Sequence, residues 1–118
     1  MKVIGFIPVR YESSRLYGKA LKKISGIPAV VHVYKRSKLS KELDDLYVVT
    51  DSKKIITVLK KYDVKVILTA KHSNGTERIH EASKKIRSEI IINIQGDEIL
   101  VDPNNIDKMI KQMKKFRR

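Results

Sequence analysis

Three cations, Arg10, Arg15 and Lys19, fall within the stretch from Pro8 to Ala20, together with the hydroxyls of Ser13 and Ser14 and the glycine Gly18. Arginine offers planar, bidentate donors to phosphate oxygens, and lysine offers a compact point charge. Opening from the end of a strand, such a loop suits a polyphosphate. It equally suits a solvated basic turn in a lysine-rich protein. A second concentration is Gln95-Gly96-Asp97-Glu98. A triphosphate with Mg²⁺ needs cations for its phosphates and a carboxylate for the hard metal. Asp97, just after the flexible Gly96, is the better ligand of the two acids, although adjacent acids also occur in plain surface turns. The third is His72-Ser73-Asn74-Gly75-Thr76-Glu77-Arg78. Here Thr76 is placed to cap a following helix, whose first N–H groups suit an anion or a base carbonyl. Arg78 in that first turn opposes the helix dipole, a cost that a ligand role would explain.

Other chemistries fail on inspection. Gly18-Lys19 is not a Walker A loop, because Ser13 stands where a glycine is needed and Ala20 where a hydroxyl is needed. No glycine fingerprint for a dinucleotide follows the first apolar run. His32, His72 and His80 lack metal spacing, and His32 reads as a structural or surface histidine. The absence of cysteine excludes disulfides, thiolate metal sites and cysteine nucleophiles.

These residues need elements to position them. The apolar run Val3 to Ile7 reads as a strand, and Pro28 fits the first turn of a helix running to about 38. Leu46 to Thr50 is a second strand; Ser52 then caps a helix buried through Ile55, Val58, Leu59 and Tyr62. Val64 to Leu68 is a third strand, and Ile79, Ala82 and Ile86 mark the helix after the polar loop. Ile90 to Ile94 is the fourth strand, and Pro103 opens a last helix with Ile106, Met109, Ile110 and Met113 inward. Runs apolar on both faces predict a parallel sheet covered on both sides. The expectation is therefore an α/β fold, a Rossmann-like doubly wound sheet of about four strands flanked by helices. With the order 3-2-1-4, the strand order reverses between strands 1 and 4, where such sheets bind ligands. The basic loop would then face the Gln95 to Glu98 turn.

The 118 residues suit one domain spanning the chain, and the net charge of +13 points to anionic partners. The lysines are spread over helix faces, so charge alone does not mark a single stripe. No apolar run approaches the ~20 residues of a membrane-spanning helix, and Met1-Lys2 leads directly into a strand without a leader pattern. A cytoplasmic protein without membrane partners is expected. A basic nucleic-acid-binding module is the weaker alternative. It lacks a reading motif and has few aromatics for stacking.

With these loops laid out, the chain resembles the 3-deoxy-manno-octulosonate (Kdo) cytidylyltransferases, the CMP-Kdo synthetases. The resemblance is carried by Ile7 to Arg10 with Ser14 to Lys19, by Thr50-Asp51, by Asn74 to Ile79, by Asn93 to Glu98 and by Asp102-Pro103. These run in the family's order over essentially the whole chain. The resemblance implies transfer of CMP from CTP to a sugar acid, Kdo or a similar one, with Mg²⁺ and release of pyrophosphate. Arg10, Arg15 and Lys19 would take the catalytic part, neutralising the triphosphate. Ser14, Gly75, Thr76, Arg78 and Gln95 would hold nucleotide or sugar, and Asp97 would hold the metal. Tyr17, Ala20 and Ile99 stand where the family usually has prolines, which loosens the backbone without removing a charge. The chain matches the family's N-terminal half. The second half supplies much of the sugar pocket, the dimer contact and another metal-binding aspartate. The resemblance is thus equally compatible with a non-catalytic CTP-binding domain that needs a partner chain, or with a homo-oligomer.

Overall fold

The run Val-Ile-Gly-Phe-Ile-Pro is apolar on both faces and forms the central strand β1, Val3–Pro8. The computed structural model describes residues 2–10, 21–71 and 75–116. After β1 come a short hairpin, β2 (Lys23–Ile24) and β3 (Ile27–Pro28), then α1 (Ala29–Ser37), β4 (Asp45–Thr50) and α2 (Lys53–Leu59). A single 3-10 turn at Lys60–Tyr62 extends α2 and leads to β5 (Val66–Leu68). The chain continues through α3 (Gly75–Lys85), β6 (Ile90–Asn93) and α4 (Pro103–Phe116).

The four longer strands form one parallel sheet in the order β5-β4-β1-β6. This is the 3-2-1-4 order supposed above for such a sheet. Strand β1 pairs Ile4 with Asp45 on one side and Val3 with Ile90 on the other. The order reverses between β1 and β6.

Alternation of side chains splits the core in two. Val3, Ile7, Val48, Ile90 and Ile92 pack against α1, α2 and α4, whereas Ile4, Phe6 and Val49 pack against Ile79 and Ala82 of α3. A fully buried residue of this kind contributes about 1.5–3 kcal/mol. The layers are unequal. Ile91 on the α3 face of β6 is 37% exposed, so the expectation of a sheet covered on both sides fails at this strand. A continuous isoleucine run does not say which face its neighbours reach. Met109, expected inward on α4, is likewise exposed.

Local signals explain the element ends. The Ser52 hydroxyl accepts from the Ile55 N–H at 3.2 Å, the cap expected for α2. The Asp102 carboxylate accepts from the Asn104 N–H at 2.9 Å ahead of Pro103, which starts α4. Pro28 ends β3, and α1 begins one residue later. The hairpin was not expected. Ser25 (φ 53) and Gly26 (φ 81) both take left-handed conformations, the requirement of a two-residue turn between antiparallel strands. His32 of α1 holds this hairpin through Nε2, 2.7 Å from the Ile24 carbonyl oxygen, which fits its structural reading. No helix among the described residues is long and apolar enough to cross a membrane.

A clasp far in sequence ties α4 to the approach of β4. The Asp107 carboxylate accepts from the Ser40 hydroxyl and from the N–H groups of Lys41 (3.3 Å) and Glu42 (3.1 Å). Burial pushes the Asp107 carboxyl up, but the Ser40 hydroxyl and the two N–H donors outweigh it and hold it below its ordinary value. A depressed folded-state pKa gives stability that is present above the unfolded value of about 3.9 and lost as pH falls through the folded one. Asp107→Asn is therefore expected to cost about 1–2 kcal/mol at pH 7. Urea titrations from pH 7 to pH 2.5 should show the variant losing less stability than the parent on acidification. Parallel pH profiles for the two proteins would contradict this account.

Candidate functional site

At the carboxyl ends of β1 and β6, where the strand order reverses, lies a cleft of about 260 Å³. Pro8 and Arg10 reach it from the end of β1, Asn93 and Gln95 from the end of β6, and Gly75, Thr76 and Arg78 from the first turn of α3. Three separate elements converge here, and the lining is polar. A larger cavity, about 580 Å³, runs along Thr76, Glu77, His80, Glu81 and Lys84. Its described lining residues all belong to one helix, whereas those of the smaller cleft come from three elements.

Close backbone approach builds the cleft's floor. A Cβ at Gly75 would come within 3.1 Å of Pro8 Cγ, so glycine there lets the start of α3 sit against the end of β1. The end of β5 and the residues just after it are tied to α3. The Ala70 N–H donates to both carboxylate oxygens of Glu81, at 3.1 and 3.2 Å, and Lys85 Nζ donates to the Leu68 carbonyl at 2.8 Å. On the other wall, backbone bonds from the Val9 N–H to the Val49 carbonyl and from the Ile94 N–H to the Phe6 carbonyl, both 2.9 Å, fix the two strand ends.

Arg78 is the unusual member. Its side chain is 1% exposed, and its NH2 lies 3.6 Å from Oδ2 of Asp51. A buried guanidinium in the first turn of a helix works against both desolvation and the helix dipole, so it needs a carboxylate nearby. Asp51, just beyond β4, supplies one.

The structure brings Arg10, Gly75, Thr76, Arg78 and Gln95 to one cleft. Thr76 is not a cap, however: α3 already begins at Gly75, which places Thr76 inside its first turn. Ser14, Arg15 and Lys19 lie outside the described residues, as do Asn74 and the histidine at 72. Asn93 and Pro8 line the cleft and were not singled out. Asn93 could have been found as the polar residue ending an isoleucine run.

Asp97 and Glu98 do not line this cleft. Both are exposed on the turn that follows, where the Ile99 N–H donates to the Asp97 carbonyl at 3.0 Å and the Val101 N–H to the Glu98 carbonyl at 3.1 Å. Arg36 of α1 pins the far end of this turn, Nε donating to the Val101 carbonyl at 2.8 Å. Among the described residues no three histidine or acidic side chains gather as a metal site.

Comparison with known proteins agrees with this geometry. A family model described as Cytidylyltransferase matches residues 4–117. The 3-deoxy-manno-octulosonate cytidylyltransferase of Geotalea daltonii is 39% identical over 114 residues, which span 96% of this chain and 45% of that protein. The 8-amino-3,8-dideoxy-manno-octulosonate cytidylyltransferase of a Shewanella species (strain W3-18-1) is 42% identical, over 93% of this chain and 46% of that protein. In structure, the chain is similar to a CMP:2-keto-3-deoxy-manno-octonic acid synthetase complexed with CTP. The TM-score is 0.94 at 34% identity, covering 98% of this chain and 48% of that one. The chain therefore spans about half the length of the curated relatives it matches, and the half in question is the N-terminal one. It belongs to the cytidylyltransferase family.

Proposed function

We propose that this chain is the CTP-binding half of a cytidylyltransferase that transfers CMP to a sugar acid of the 3-deoxy-manno-octulosonate type, for lipopolysaccharide or other surface-polysaccharide synthesis. One observation carries the reading. Arg10, the start of α3, Arg78 and Gln95 converge at the point of strand-order reversal, in a fold whose relative was determined with CTP. The relatives' names divide between two sugar acids that differ at carbon 8, so the acceptor is proposed by class.

In this reaction the anomeric hydroxyl of the sugar acid attacks the α-phosphorus of CTP. The new P–O bond forms as the bond to the bridging oxygen of the β-phosphate breaks, pyrophosphate leaves, and the hydroxyl proton passes to solvent. Arg10, with Arg15 and Lys19 at the positions matched to the family, neutralises the triphosphate and the charge growing on the leaving group. The first turn of α3, Arg78 and Gln95 hold the nucleoside or the sugar, with Ser14 contributing from the basic loop.

Mg²⁺ fits the donor set, because this ion takes one or two carboxylates, substrate phosphates and retained waters rather than an all-protein cage. Asp97 would hold it, and bound there it would screen the triphosphate charge. A cytoplasmic location belongs to the same reading.

Calorimetry tests the proposal. With Mg²⁺ present, CTP is expected to bind in preference to ATP and GTP; no detectable CTP binding would sink it. Adding the sugar acid and measuring pyrophosphate separates two versions of the proposal. Because the chain spans half of its relatives, CTP binding without turnover is the expected result. Turnover by the 118 residues alone would place the acceptor site within them.

A further inference from the structure

We infer that Asp51 is a positioning residue for nucleotide binding, acting through Arg78 to set how the guanidinium meets the nucleoside end of CTP. The inference rests on the CTP-binding reading above and adds a residue that does not itself line the cleft. Three observations support it.

The first is the ion pair. Asp51 Oδ2 lies 3.6 Å from Arg78 NH2, and the arginine side chain is 1% exposed while the aspartate's is 20% exposed. The buried partner is among the residues that line the cleft, and the more hydrated partner is not. A pair serving stability alone has no need to place its buried cation on the wall of a polar cleft.

The second is rigidity. Asp51 sits between a strand end and a capped helix. The Thr50 carbonyl accepts from the Thr69 N–H at 2.9 Å, the Thr50 hydroxyl accepts from the Ser52 N–H at 3.1 Å, and the Ser52 hydroxyl caps α2. Thr50 is itself fully buried. The carboxylate is thus presented from a backbone fixed on both sides, as a residue that orients another requires.

The third is the geometry of arginine. A guanidinium is a flat fork, so a carboxylate held against one edge also fixes the plane in which the fork meets a ligand. The attraction that anchors Arg78 offsets part of its charge. Asp51 therefore sharpens direction at the expense of bare attraction for anions.

That trade gives a test which a purely structural role would not pass. CTP and inorganic triphosphate are titrated calorimetrically into the 118-residue chain and its Asp51→Ala, Asp51→Asn and Asp51→Glu variants. Asp51→Ala is expected to weaken CTP about tenfold, the scale of one misaligned charge-assisted hydrogen bond. Inorganic triphosphate should bind within about twofold of the parent, since it has no nucleoside to orient and Arg78 gains effective charge. Asp51→Glu should restore part of the CTP affinity. In an Arg78→Lys background, Asp51→Ala should have no further effect on CTP, because the residue it acts through has been changed.

Equal loss for both ligands, unchanged CTP affinity, or full additivity with Arg78→Lys would overturn the inference. Should Asp51→Ala fail to fold, the near-isosteric Asp51→Asn carries the same comparison. A parent chain that binds triphosphate but not CTP would overturn the CTP-binding reading and this inference together. CTP binding with a flat Asp51 series would overturn this inference alone.

Discussion

Arg78→Ala is expected to lower the unfolding free energy by about 2–4 kcal/mol and to remove measurable CTP binding at the same time. The two effects have separate causes. Stability falls because the side chain is almost wholly buried, so its loss leaves a void and takes the counter-charge from Asp51. Breaking a fully buried pair costs about 3–5 kcal/mol. The lower figure applies here because Asp51 keeps some access to water and the contact is 3.6 Å long. Binding is expected to fall because Arg78 is one of the residues that line the cleft. Arg78→Met separates the two. It restores much of the buried volume, so denaturant unfolding should recover by about 1–2 kcal/mol relative to alanine, while calorimetry with CTP should not recover. CTP affinity in Arg78→Met equal to the parent's would show that the arginine is purely a core residue.

Asp97→Asn has the opposite profile: a large effect on binding and almost none on the fold. Asp97 is exposed on the turn after β6, and that turn is fixed by backbone bonds and by Arg36. The change in unfolding free energy should stay within about 0.5 kcal/mol. With Mg²⁺, CTP affinity should drop about tenfold if, as proposed, the Asp97 carboxylate is the group that would hold the ion beside the triphosphate. With chelator in place of Mg²⁺, the variant and the parent should bind CTP alike. The crossed comparison decides the assignment. A variant that keeps the parent's full response to Mg²⁺ would mean that another group holds the metal.

Much of this architecture could be read from residue order. Four apolar runs alternating with helical periods pointed to a doubly wound parallel sheet, and the order 3-2-1-4 supposed for that fold class is the one found, which brings the ends of β1 and β6 together. The cap at Ser52 and the start of α4 at Pro103 were legible because each rests on one side chain and its local backbone. What was not legible depended on distance in sequence. Arg78 reads as a cation at odds with its helix dipole, but its burial beside Asp51 shows only once β4 and α3 are packed together. Thr76 reads as a cap from its type and spacing, yet α3 starts at Gly75, two residues before the helix that such a cap would open. The strands of the hairpin at 23–28 are too short to show any period. The exposure of Ile91 follows from where α3 lies, a property of the packed layers with no trace in the run of isoleucines.

The position of β6 at the end of the sheet has a colloidal consequence. Among the described residues, β6 pairs only with β1, so its outer edge presents unpaired peptide groups beside the exposed Ile91 and Met109. Such an edge is a template for joining another strand. Two copies of this chain each carry a formal charge of +13, and their mutual repulsion holds these edges apart. Salt weakens that protection. The screening length shrinks from about 10 Å at 0.1 M to about 3 Å at 1 M, so repulsion fades while the attraction between apolar edges persists. Dilute buffer of low ionic strength is thus the medium in which the isolated chain stays dispersed, and concentrated salt is the one that drives it to self-associate.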